Sequence, residues 1–136
     1  MPHKFFTLAE ANRTLPLVKR IVQDIMTVYP EWQDLVARYE LIAAQARPDW
    51  GESREQLALK AEIDTVAGKI NSYLQELEQL GCEFKGPDQG LVDFHGRLDG
   101  REILWCWKLG EDRIAHWHEL DAGFAGRQAI PEVIHH

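Results

Sequence analysis

The sequence predicts an α+β fold: a long antiparallel helical hairpin, coiled-coil-like in its spacing, packed on a small antiparallel β-meander. Three observations predict it. On either side of Arg47–Gly51, apolar residues recur at alternating steps of three and four, a seam with a repeat near 3.5 residues. After Gly81 the pattern changes to short runs that alternate every second residue. Between two of those runs stands Asp99-Gly100, the strongest short hairpin signal.

Taken in order, Thr7 with Glu10 three residues later fits a capping box that opens the first helix, whose first turns run to about Thr14. Pro16 then either starts a second helix or kinks the first, because it offers no amide donor. The seam follows as Val18, Ile21, Ile25, Val28, Trp32, Leu35, Tyr39, Ile42 and Ala46. Pro30 falls inside this run without disturbing its beat. This predicts a continuous helix bent near Pro30, with the Met26 carbonyl left without its donor; a break at Pro30 is the alternative.

Arg47–Gly51 stops the helix, and Ser53 with Gln56 forms a second capping box. The second helix carries Leu59, Ile63, Val66, Ile70, Tyr73, Leu77 and Leu80, and Gly81 is its expected left-handed cap. Leu15, Val22 and Tyr29 widen the apolar face of the first helix in its N-terminal half. The sheet is therefore expected to dock there, against the end of the second helix, while the end near Trp50 projects as an arm. Strands are expected at Cys82 to Lys85, Leu91 to Leu98, Arg101 to Lys108 and Arg113 to His118.

At 136 residues the chain is expected to be a single domain, 1–136, made of the hairpin (1–81), the sheet with a glycine-rich segment (82–128) and a tail (129–136). Fifteen basic against 22 acidic residues give a formal charge of −7, which argues against sequence-independent nucleic-acid binding. No apolar run approaches the roughly 20 residues that span a bilayer. With two cysteines and no signal-peptide pattern, a reduced, cytoplasmic protein is expected. His135 and His136 are set aside, because a terminal histidine pair is also what a tag leaves behind.

A two-residue turn at Asp99-Gly100 sets the register of the central hairpin. It pairs Leu98 with Arg101, Arg97 with Glu102, His95 with Leu104, Phe94 with Trp105, Asp93 with Cys106 and Val92 with Trp107. The opposite charges of Arg97 and Glu102 agree with it. Val92, Phe94, Leu98, Ile103, Trp105 and Trp107 then share the buried face. Asp93, His95, Arg97, Glu102, Leu104, Cys106 and Lys108 share a polar one. For the third strand, an odd number of looped-out residues after Lys108 places His116 and His118 with Asp93 and Cys106, and Trp117 in the core. An even number reverses this. Burying Trp117 favours the odd register, and burying Ile114 the even one; the odd is preferred.

The chemistry is concentrated in Ile114–Gln128 and the strand face it meets. His116 and His118 on one side of a strand are spaced to share a metal ion, with Asp93, His95, Cys106 or Glu119 as further ligands. Zinc or iron(II) suits such a set. The bland alternative is a pair of half-buried histidines beside a tryptophan. Cys106 is a nucleophile candidate, although a strand cysteine is more often a small apolar filler. The run Gly123–Gln128 offers close backbone approach, with Arg127 as an anion clamp; the structural alternative pairs Arg127 with Glu119 or Asp121.

The motifs Phe6–Arg13, Leu15–Val18, Gly90–Phe94, Asp99–Glu102, Cys106-Trp107, Gly110-Glu111, Trp117–Glu119 and Gly123–Gln128 mark a likeness that runs along nearly the whole chain. In them it resembles a family of uncharacterised bacterial proteins, domain of unknown function 2203. The resemblance implies no mechanism, but it bears on the choice of residues. The family's motif includes Asp93, Cys106, Glu111, His118, Glu119, Arg127 and Gln128. It commonly has proline where this chain has His95, and it does not require a histidine at 116. Weight therefore moves to a site centred on His118 with Asp93, Cys106 and Glu119.

The expected function is binding of a divalent metal ion or a small anionic ligand on the polar sheet face, with Arg127, Gln128 and Glu111 as ligand-binding residues. The rival is a non-catalytic interaction or oligomerisation module built on the hairpin, with a homo-oligomer, most simply a dimer, as its product. Loss of self-association on charging Val28 and Leu35 would be its mark.

Overall fold

The computed structural model describes residues 4–47 and 51–131. Helix α1 (Leu8–Gln45) opens on the Thr7 capping box: the Glu10 amide donates to the Thr7 hydroxyl at 3.1 Å, and the Thr7 amide donates to the Glu10 carboxylate at 2.9 Å. It continues through both Pro16 and Pro30. Pro16 therefore starts no second helix, and the continuous reading of Pro30 holds. Helix α2 (Arg54–Leu80) opens on the Ser53–Gln56 box and closes at Gly81, whose φ of 94° is left-handed. The expected arm tip at Trp50 lies outside the described residues, as do His135 and His136.

The two helices pack together along their seams, and their apolar contacts divide into two clusters. In the outer half of the hairpin, Leu35, Leu59 and Val66 are buried between partly covered Val28, Trp32, Tyr39 and Ile63. In the inner half, Leu15, Val18, Val22 and Ile25 of α1 and Leu77 of α2 meet the sheet. The extra stripe of Leu15 and Val22 is what lets α1 cover the sheet as well as α2.

Among the described residues the sheet has five strands in the order β1 (Cys82–Gly86), β2 (Leu91–Leu98), β3 (Arg101–Lys108), β4 (His116–His118) and β5 (Gln128–Ala129). Every pair is antiparallel. The β2–β3 register is the one expected from the turn, from Leu98↔Arg101 to Val92↔Trp107. Asp99 and Gly100 have φ of 53° and 79°, the left-handed pair that a tight type I′ turn requires.

Strand β4 is shorter than expected, because Arg113–Ala115 are irregular rather than extended. The Ile114 amide donates to the Asn12 side chain at 2.8 Å instead of to a neighbouring strand. Freed from the strand's alternation, Ile114 enters the core together with Trp117, which pairs with Trp105. This is the odd register, and the conflict between Ile114 and Trp117 disappears. Residues 129–131 are more than a tail: Ala129 belongs to β5, and the amide of buried Ile130 donates to the Ala115 carbonyl at 3.0 Å. No helix among the described residues is long and apolar enough to cross a membrane.

Candidate metal centre

With the core face against the helices, Asp93 on β2, Cys106 on β3 and His118 on β4 point to the opposite face of three adjacent strands. Asp93 is the direct cross-strand partner of Cys106, whose other neighbour on β4 is His116. His118 lies one step further, opposite Leu104. One ligand atom from each of Asp93, Cys106 and His118 lies within 4.8 Å of the others. All three are buried, at 4%, 1% and 2% exposure. The outer face was expected to be polar; it is polar, and around Asp93, Cys106 and His118 it is also covered, while Arg97 and Glu102 remain exposed.

The cover is the segment after β4. Leu120–Phe124 and a single 3-10 turn at Phe124–Gly126 fold over the sheet and leave a cleft of about 350 Å³ above the three residues. Lys85, Leu91 and Leu104 form its walls. Leu120 and Phe124 on the covering segment are large apolar side chains that remain 50% and 37% exposed.

The hydrogen bonds of His118 define its chemistry. Nδ1 lies 2.7 Å from the Glu119 carbonyl oxygen, which can only accept, so Nδ1 carries a proton. Nε2 lies 3.1 Å from Asp93 Oδ1. In the neutral imidazole that tautomer leaves a lone pair on Nε2 facing a carboxylate oxygen, and two acceptors repel unless a proton or a cation lies between them. A backbone carbonyl that holds one ring nitrogen so that the other can ligate is a recurrent feature of metal sites. Burial, followed by the charge of Asp93, pushes the Cys106 thiol up to about 12. A thiol so placed is protonated at neutral pH and is not a standing nucleophile; a bound cation reverses that preference and takes the sulfur as thiolate.

The remaining candidates are placed around this centre rather than in it. His116 shares the face, but its Nδ1 turns to Glu111, 3.6 Å away. Glu119 contributes its carbonyl to His118, while its carboxylate accepts from Arg101 at 2.9 Å. His95 Nε2 lies 2.7 Å from Glu83. The hydrogen bond from Lys85, then that from His95, hold the Glu83 carboxyl down at about 2.

Arg127 pairs with neither Glu119 nor Asp121. Its guanidinium grips Glu111 with two bonds, at 2.6 and 3.0 Å, and also donates to the Cys106 carbonyl at 3.1 Å. Glu111 further accepts from the Lys108 amide at 2.8 Å. Burial alone would raise the Glu111 carboxyl, but the bonds from Arg127 and Lys108 outweigh it, and the net shift is downward. This hub ties β5 and the covering segment to the end of β3. Gln128 is exposed on β5, opposite Trp117.

Sequence reasoning did not anticipate the contributions of Lys85, Leu120 and Phe124. Lys85 had a usable signal, since it is two residues from Glu83 on the strand that pairs with Asp93. Leu120 and Phe124 had none, because their position depends on how an irregular segment folds back.

The profile of the family described as "Uncharacterized conserved protein (DUF2203)" matches residues 4–130. A mouse protein, "General transcription factor 3C polypeptide 1" from Mus musculus, is 31% identical over 133 residues, covering 88% of this chain but only 6% of that protein. No solved structure matches the chain.

Proposed function

We propose that this chain, which belongs to the DUF2203 family of uncharacterised proteins, binds a divalent transition-metal ion between Asp93, Cys106 and His118. The observation that carries this reading is the convergence of three buried ligand atoms within 4.8 Å, with the imidazole held at Nδ1 by a backbone carbonyl so that Nε2 faces the Asp93 carboxylate. Burying a carboxylate, an imidazole and a thiol together is costly unless something compensates them. A cation does so for all three. Thiolate, imidazole and carboxylate together suit zinc, with iron(II) as the other candidate. The alternative of a small anion held by Arg127 is weaker, because that guanidinium is already bound to Glu111.

Protein purified without a polyhistidine tag should carry about one equivalent of metal per chain. After removal of that metal, cobalt(II) should produce a thiolate-to-cobalt absorption band that Cys106→Ala abolishes. Metal-free protein that also gives no band with cobalt would overturn the proposal.

A second reading, the interaction module, is favoured by the outer half of the hairpin. There Tyr29 and Trp32 stack at 5.8 Å beside a shallow apolar cleft shared with Ala67 and Ile70. The similarity to one short stretch of a much longer mouse protein also suits a module of this size. Leu35 is a poor place to test self-association, because it is buried between the two helices. Trp32→Lys is the better probe, and an unchanged molecular size in solution would count against a homo-oligomer formed through this surface.

A further inference from the structure

We propose that the open side of the metal centre takes a small monocarboxylate with an apolar body. The inference rests on the metal reading above and names its ligand. Three protein ligands leave a tetrahedral ion at least one position for an outside donor. Asp93, Cys106 and His118 all line the same cleft, so a molecule in that cleft can reach this position. The volume of about 350 Å³ lies at the low end of small-molecule sites, which run from about 300 to 1,000 Å³, and suits a small ligand such as a short-chain acid.

The walls specify the rest. Leu91 and Leu104 line the cleft from the sheet, and Leu120 and Phe124 line it from the covering segment. Leu120 and Phe124 are two of the large apolar side chains left exposed among the described residues, and the others, Leu17, Leu41 and Leu57, are distributed along the helices. An apolar body against Leu120 and Phe124 would remove their exposed surface from water. The head group must ligate a divalent ion, for which an anionic oxygen is suited, beside Lys85, whose ammonium is paired with Glu83 at 2.7 Å but has further N–H donors. Glu83, paired with Lys85 at 2.7 Å, and Asp121 in the cleft wall oppose a second negative charge. A phosphate monoester is therefore disfavoured, and a carboxylate fits.

The experiment titrates cobalt-loaded protein with acetate, butyrate and hexanoate and follows the cobalt visible spectrum. Each acid should shift the spectrum, with the dissociation constant falling about two- to four-fold per added methylene. Leu120→Ser and Phe124→Ser, both at exposed positions, should flatten that dependence while acetate still shifts the spectrum. Lys85→Gln should weaken the whole series by a common factor of about two to five; an unchanged series would overturn the part assigned to Lys85. A cobalt spectrum that no acid moves, or equal affinity for acetate and hexanoate, would overturn this inference and leave the metal reading standing. Failure to bind cobalt at all would overturn both.

Discussion

Gly96 lies directly under the indole of Trp105: a methyl group built on Gly96 would overlap the Trp105 ring. Gly96 pairs with Ile103 on the core face of β2, so it sits diagonally across from Trp105 on the neighbouring strand. The missing side chain lets the indole cross β2 and donate from Nε1 to the Phe6 carbonyl at 2.9 Å. The Phe6 amide in turn donates to the His95 carbonyl at 2.7 Å. The segment before α1 is thereby tied to the strand that carries Asp93.

Gly96→Ala should therefore destabilise the protein by about 1–3 kcal/mol, the cost of overpacking a filled core. Ala is otherwise a mild change in a strand, so a loss this large would come from the indole. Equilibrium urea unfolding measures it, and a variant as stable as the parent would contradict the close approach.

The Glu111–Arg127 pair should be sensitive to shape as well as charge. Arg127 is 12% exposed in its side chain and binds both carboxylate oxygens. Lysine retains the charge but not the two-pronged geometry. Arg127→Lys and Arg127→Ala should both lose about 1–3 kcal/mol, with the lysine variant recovering less than half of the difference. Amide exchange at Ala129 and Ile130 should accelerate in both variants, since β5 is held through this pair. Full recovery by lysine would show that only charge matters.

Acid should weaken the Glu83 network in a defined window. The Glu83 carboxyl is depressed from an ordinary 4.5 to about 2 by Lys85 and His95. A depressed acid contributes stability that is fully present above its unfolded value and is lost as pH falls through its folded one. The stability difference between the parent and Glu83→Gln should thus be constant above pH 5 and shrink between about 4.5 and 2. A carboxyl carbon resonance of Glu83 that titrates near 4.5 would contradict the pairing.

Both cysteines should resist alkylation in the folded, metal-free protein. Cys82 and Cys106 are buried free thiols, each raised to about 12, chiefly by burial. Iodoacetamide at neutral pH should label neither, and both should label once the chain is unfolded; intact mass resolves the two states. Rapid labelling of folded Cys106 would instead revive its reading as a nucleophile.

Much of this architecture follows from interactions between residues close in sequence. The capping boxes at Thr7 and Ser53, the seams of both helices and the Asp99-Gly100 turn each depend on neighbours within a few positions. Once a two-residue turn is set, the strand period of two places Asp93 opposite Cys106 without further information. The half of the site on β2 and β3 was legible for that reason.

The rest depended on contacts between residues far apart in the chain. Whether His118 faces Asp93 turned on the path of Leu109–Ala115, where no repeat applies and where Asn12, on the first helix, takes up the Ile114 amide. Arg127 chose Glu111 over the nearer Glu119 and Asp121 because the fold-back after β4 brings it to the end of β3. The same fold-back buries the three candidate ligands and makes a cleft of what would otherwise be an open sheet face. Local chemistry set which residues share a strand face; only packing across the whole chain set which of them meet, and how dry their meeting place is.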